Sequence, residues 1–200
     1  MNPLERYRSD LQKPGMSADS AQQAAVQHLQ RVWEELVARE NHTPGVLERF
    51  NQKLFKKTVE PVKGLYFWGG VGRGKTWLMD LFYETLPFER KLRMHFHRFM
   101  QRVHHDLKEL QGAKNPLEIV ADRFAKSTCV ICFDEFFVSD ITDAMILGGL
   151  MQQLFARGVT LVATSNISYF FSGRCKFGSF FTSNKTNARN RGNFIKNSSV

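Results

Sequence analysis

Eight consecutive residues carry the clearest chemistry in this 200-residue chain. Gly69-Gly70-Val71-Gly72-Arg73-Gly74-Lys75-Thr76 matches the phosphate-loop pattern G-x-x-x-x-G-K-[ST] at every fixed position. A polyphosphate needs several backbone N–H groups turned toward it, and only a glycine-rich turn lets the main chain come that close. Gly69, Gly72 and Gly74 supply bare backbone, and Gly70 and Val71 complete the loop. Lys75 brings a charge for the β- and γ-phosphates, and Thr76 a hydroxyl for Mg²⁺. Arg73 stands at an unconstrained position from which a phosphate is within reach.

A second cluster has the complementary charge. The apolar run Cys129-Val130-Ile131-Cys132-Phe133 ends in Asp134-Glu135. A hydrophobic strand delivering an acidic pair at its C-terminal end suits Asp134 to hold Mg²⁺ with Thr76, and Glu135 to orient and deprotonate an attacking water. The plainer alternative is that these acids cap the helix that follows. A third apolar run, Val159 to Ala163, leads into Thr164-Ser165-Asn166, where a polar amide is placed to contact a γ-phosphate or its water. Thr-Ser-Asn is also ordinary turn chemistry. A guanine-reading Asn-Lys-x-Asp is absent; the nearest string, Asn184-Lys185-Thr186-Asn187, ends in the wrong residue.

The elements that must position these groups follow from periodicity. Leu65-Tyr66-Phe67-Trp68 reads as a buried strand before the loop, and Lys75 to Leu86 as a helix stopped by Pro87. Alternation of Leu92, Met94 and Phe96 with Arg93, His95 and His97 predicts another strand. Helices are expected from Arg98 to Gln111, Asn115 to Lys126 and Asp140 to Ala156. Ahead of the loop, Ser17 to Glu40 has an apolar stripe of Ala18, Ala21, Ala25, Leu29, Val32 or Trp33, and Leu36, with Ser17 as its cap. Val46 to Lys57 reads as a further short helix. Strands alternating with helices imply a parallel sheet covered on both faces, an α/β fold.

These motifs resemble the ZapE/AFG-type ATPases, a branch of the AAA+ P-loop NTPases. The resemblance rests on Gly64 through Phe82, on Arg93-Met94-His95-Phe96-His97-Arg98-Phe99-Met100, on Asn115-Pro116-Leu117, on Phe133-Asp134-Glu135-Phe136, and on Asp140 through Met145. It implies an ATP- and Mg²⁺-dependent ATPase in which Lys75, Glu135 and Asn166 serve catalysis and Asn166 is the sensor. It also implies a sheet of order 5-1-4-3-2, of which four strands can be found here, leaving Leu65 to Trp68 as an exposed aromatic edge. A role in bacterial cell division on the tubulin-like division-ring protein follows from the resemblance, as does a homo-oligomer formed through the ATPase interface. The alternative is a nucleotide-dependent loader acting on DNA or a helicase.

Composition divides the chain. From Ile167 onward there is no Asp, Glu or Leu, but six Phe, six Ser, five Asn and six Lys or Arg. The resemblance stops at Asn166, so residues 167–200 are expected to be an aberrant, disordered basic tail, produced by a frameshift or misjoined end. The helical lid and arginine finger implied by the resemblance would then be missing, leaving a weak or inactive ATPase. Residues 1–60 are expected to form a helical arm and 61–166 the ATPase core. The tail holds six of the nine net positive charges, so the high pI is poor evidence for nucleic acid. No apolar run is long enough to span a bilayer and no signal peptide opens the chain, which predicts a cytoplasmic protein.

Two apparent metal motifs read better as structure. Cys129 and Cys132 spell C-x-x-C, but residues three apart on a strand point to opposite faces and cannot close on one ion. His95, His97, His104 and His105 form a loose group without an acidic or thiol ligand at matching spacing.

Overall fold

The computed structural model describes residues 1–42 and 61–166. Helix α1 (Pro3–Asp10) and helix α2 (Ser20–Asn41) precede strand β1 (Leu65–Trp68) and helix α3 (Lys75–Thr85). Then come β2 (Lys91–His95), α4 (Phe96–Glu109), α5 (Pro116–Ser127), β3 (Val130–Asp134), α6 (Ile141–Ala156) and β4 (Thr160–Ser165). The four strands are parallel in the order β1-β4-β3-β2. The expected Val46–Lys57 helix and the tail from Ile167 lie outside the described residues.

Strand alternation sorts the core into two halves. Leu65, Phe67, Val130, Cys132 and Val162 meet α1, α2 and α3 on one face. Tyr66, Ile131, Phe133, Leu161 and Ala163 meet α4, α5 and α6 on the other. Continuous apolar runs in β1, β3 and β4 are what a sheet covered on both faces requires. On the second face Phe96, Phe99, Phe133 and Phe136 stack in tilted and edge-to-face contacts with centroids 4.5 to 5.8 Å apart. Such pairs contribute about 0.5–1.5 kcal/mol each beyond the area they bury.

The aromatic strand β1 does end the described sheet, as expected, with its Leu65, Tyr66 and Phe67 side chains buried between the helical layers. Three expectations are corrected. Strand β2 stops at His95, and the helix starts at Phe96, so His97 is helical and does not share a strand face with His95. Phe96 and Phe99 must both reach the aromatic core, which helical spacing allows and strand spacing does not. Helix α2 starts at Ser20 instead of near Ser17, because Asp19 is the cap: its Oδ1 accepts from the backbone N–H groups of Ala21 and Gln22. Cys129 falls one residue ahead of β3, so both thiols enter the same core instead of opposite faces. They are free and buried.

The N-terminal helices are fastened to the sheet. Ala25, Val26, Leu29, Val32 and Leu36 of α2 are fully buried. Trp33 Nε1 donates to the Thr85 carbonyl at 2.9 Å, and Arg39 donates to the Gly158 carbonyl at 2.7 Å. Helix α1 was not foreseen, though its signal is local: Pro3 stands at the first turn, and Asn2 with Glu5 makes a reciprocal capping box.

Candidate functional site

Three strand ends and one helix start meet at a cleft of about 580 Å³. The phosphate loop closes one side. Gly74 has φ +78°, left-handed backbone that a β-carbon would strain, and it caps α3. The N-terminus of α3 thereby faces the cleft with unpaired N–H groups and its positive dipole end. Lys75 Nζ donates to the carbonyls of Gly69 and Gly70 at 2.7 and 2.8 Å. Partial burial of that ammonium lowers its pKa from the ordinary lysine value.

Val71, Gly72, Arg73, Gly74, Lys75, Thr76, Asp134, Glu135 and Asn166 all line the cleft. Gly69 and Gly70 contribute through their carbonyls and through the Gly69 N–H, which donates to the Ser165 carbonyl at 3.2 Å and ties the loop to the end of β4. The sequence-expected residues are therefore brought together. Asn166 is exposed at the end of β4, and Glu135 is largely exposed.

Glu135 has φ +53°, unusual for a residue with a side chain. Its neighbours hold it there. The Glu135 N–H donates to Thr164 Oγ1 at 3.4 Å, and the Phe136 N–H donates to the Thr164 carbonyl at 2.7 Å. The chain turns sharply at Glu135, so Phe136 drops into the aromatic core while the carboxylate stays at the cleft.

Two further cleft residues escaped the sequence reading. Arg93 Nε donates to Asp134 Oδ2 at 2.8 Å, and its Nη1 pairs with Asp80. His95 Nδ1 lies 3.8 Å from Glu135 Oε2. Parallel register explains both, since Arg93 sits opposite Cys132 and His95 opposite Asp134. The alternation of β2 was the available signal, once that strand is laid beside the acidic one.

Asp134 and Thr76 offer the cleft a carboxylate and a hydroxyl. Hard oxygen donors of this kind suit Mg²⁺, and the residues present fit that ion. The histidine group does not form a comparable centre. His105, Asp106 and Glu109 approach one another on α4, an acidic spacing that sequence reading had missed. That group is surface-borne, and Arg123 Nη1 lies 3.9 Å from Asp106 and 3.6 Å from Glu109. His104 Nε2 instead pairs with Asp143 Oδ1 at 2.6 Å. No described helix is long and apolar enough to cross a membrane.

Comparison with known proteins gives the family. The model of the AFG1-like ATPase family matches residues 1–169. The chain is similar to the cell division protein ZapE of Escherichia coli K12, with 56% identity over 84% of this chain and 46% of that protein. It is also similar to lactation elevated protein 1 homolog B of Danio rerio, with 45% identity over 60% of this chain and 26% of that one. The chain thus spans less than half the length of these relatives. Among solved structures, DnaI aligns with a TM-score of 0.47 and 19% identity, over 76% of this chain and 69% of that one. The chain belongs to the AFG1-like ATPase family.

Proposed function

We propose that this chain carries the nucleotide site of a Mg²⁺-dependent ATPase. The observation behind this reading is the convergence of Lys75, Thr76, Asp134, Glu135 and Asn166 on one cleft from three separate elements, the start of α3 and the ends of β3 and β4. The loop N–H groups and the α3 N-terminus bind phosphate, with Lys75 placed for the β- and γ-phosphates. Thr76 and Asp134 would hold Mg²⁺, which supplies neutralisation of phosphate charge when bound. Glu135 takes a proton from the attacking water, and the Thr164 contacts keep its carboxylate at the cleft mouth. Asn166 contacts the γ-phosphate or that water from β4.

The similarity to a cell division protein supports a cytoplasmic role in bacterial division, with the tubulin-like division-ring protein as the target. Assembly into a homo-oligomer is part of the same reading. Calorimetric titration with ATP and Mg²⁺ tests the nucleotide site. The wild-type chain should bind, and Lys75→Ala should abolish binding because the loop loses the cation placed for the β- and γ-phosphates. Unchanged affinity in that variant would overturn the reading.

A further inference from the structure

Arg93 joins two carboxylates that belong to different parts of the site. It is 19% exposed, and Asp134 is 14% exposed, so both sit back from open solvent. One edge of the guanidinium grips both oxygens of Asp134, with Nε to Oδ2 at 2.8 Å and Nη2 to Oδ1 at 3.4 Å. The other nitrogen pairs with Asp80 on α3, one helical turn beyond Thr76. The chain Asp80–Arg93–Asp134 therefore ties the phosphate-loop helix to the acidic strand through a residue of a third element, β2.

We infer that Arg93 is a positioning residue for Asp134, fixing the plane of its carboxylate while Asp80 fixes Arg93 in turn; this rests on the assignment of Asp134 to the metal. A carboxylate has about four lone-pair directions, and the bidentate grip occupies two of them. The other two remain for a metal ion or its water shell, in an orientation that a freely rotating carboxylate would not keep. Two ion pairs hold the guanidinium itself, which makes it a poor candidate for leaving to meet a phosphate. Lysine cannot substitute, because an ammonium is a point charge without the planar fork.

A purely electrostatic role predicts the opposite sign. If Arg93 acted only as a positive charge, its removal would tighten the binding of a divalent cation. If it positions Asp134, its removal loosens that binding even though a competing charge has gone.

The test separates nucleotide from metal. A fluorescent N-methylanthraniloyl ATP is titrated into the full chain in excess EDTA and at a series of Mg²⁺ concentrations. Mn²⁺ binding is followed by electron paramagnetic resonance, with and without nucleotide. Arg93→Lys and Arg93→Met should bind nucleotide in EDTA like wild type. Each should weaken Mn²⁺ and Mg²⁺ affinity on the order of 10-fold, the usual effect of losing a residue that orients a metal ligand. Asp80→Asn should weaken it less. Asp134→Asn should remove the metal-dependent gain altogether. Tighter metal binding by Arg93→Met, or wild-type behaviour of Arg93→Lys, would overturn the positioning role while leaving Asp134 as a ligand. A full metal-dependent gain in Asp134→Asn would instead remove the metal assignment and the inference with it. Arg93→Lys keeps the charge between the two acids, so the comparison survives if Arg93→Met fails to fold.

Discussion

Trp77 Nε1 donates to Asp10 Oδ2 at 3.2 Å, joining the residue directly after the Lys-Thr of the phosphate loop to the end of the first helix. The ring of Tyr7 lies 5.5 Å from that of Trp77, so the contact is both polar and aromatic. Asp10 is buried, and Lys13 Nζ donates to its other oxygen at 2.6 Å. The N-terminus of the chain is thereby part of the wall behind the nucleotide loop. Gln22 adds a second contact from α2, donating to the Arg73 carbonyl at 3.4 Å.

This contact should depend on pH. Burial alone would raise the Asp10 carboxyl, but hydrogen bonds from Lys13 and Trp77, with the charges of Lys13 and Arg6, outweigh it and hold the pKa below the ordinary carboxylate value. A depressed folded-state pKa gives stability that is fully present above the unfolded value, about 4, and is lost as pH falls through the folded value. Thermal unfolding between pH 7 and pH 2 should show that loss, and Asp10→Ala should reduce it. At neutral pH the variant leaves the Trp77 donor without its acceptor, at about 1–3 kcal/mol. An unchanged melting profile would mean that α1 docks by apolar contact alone.

Gly64 should tolerate no side chain. A β-carbon there would lie 1.8 Å from the Leu161 carbonyl oxygen, a backbone atom of the neighbouring strand. Gly64→Ala must push the start of β1 away from β4, at the end of the strand opposite the phosphate loop. Denaturant unfolding should show a loss of about 1–3 kcal/mol or more, as overpacking against a fixed neighbour does. Wild-type stability would show that the two strands separate there at little cost.

Glu135→Gln keeps the size of the side chain and removes its basicity. ATP binding should persist, while in a full-length relative the corresponding change should cut single-turnover hydrolysis by ~10²–10⁴, the usual scale for loss of a general base. If hydrolysis is unchanged, the base lies elsewhere, with Asp140 the next acid along the chain.

The two cysteines at and just before β3 should be inert. Burial pushes the Cys129 thiol up to about 11 and Cys132 higher still, so neither forms appreciable thiolate at neutral pH. In a Cys175→Ser background, reaction with a thiol reagent at pH 7.5 should be slow in native buffer and fast in denaturant. Prompt native labelling, or tight zinc binding, would reopen the C-x-x-C pair as a chemical site.

The sequence was legible wherever local pattern and function coincide. Glycine spacing announced the phosphate loop, and the apolar run into Asp134-Glu135 announced the acidic strand. The parallel sheet and its helices followed from strands and helices in alternation. What stayed hidden was relational. Arg93 lies 41 residues from Asp134 in sequence, and nothing local says which strand its alternating face will meet. The left-handed backbone of Glu135 is likewise set from outside, by Thr164 on the next strand. His97 looked like a strand residue because alternation continued one step too far, until the aromatic core drew Phe96 and Phe99 onto a helix. The cap falls at Asp19 rather than the expected Ser17 because both residue types cap well, and only hydrogen-bond geometry separates them.

The strand order has a consequence for how such a site can change over generations. Strand β4 lies between β1, which carries the phosphate loop, and β3, which carries the acidic pair. The distance across these strand ends is therefore two inter-strand spacings, about 9.6 Å, and main-chain hydrogen bonding sets it. Side-chain substitution cannot easily lengthen or shorten that ruler. Mutations at Asn166, Glu135 or Arg73 can thus explore new chemistry at the tips without disturbing the gauge. The acids and the loop keep their separation while the groups between them drift, so variation is confined to where it is cheapest to try.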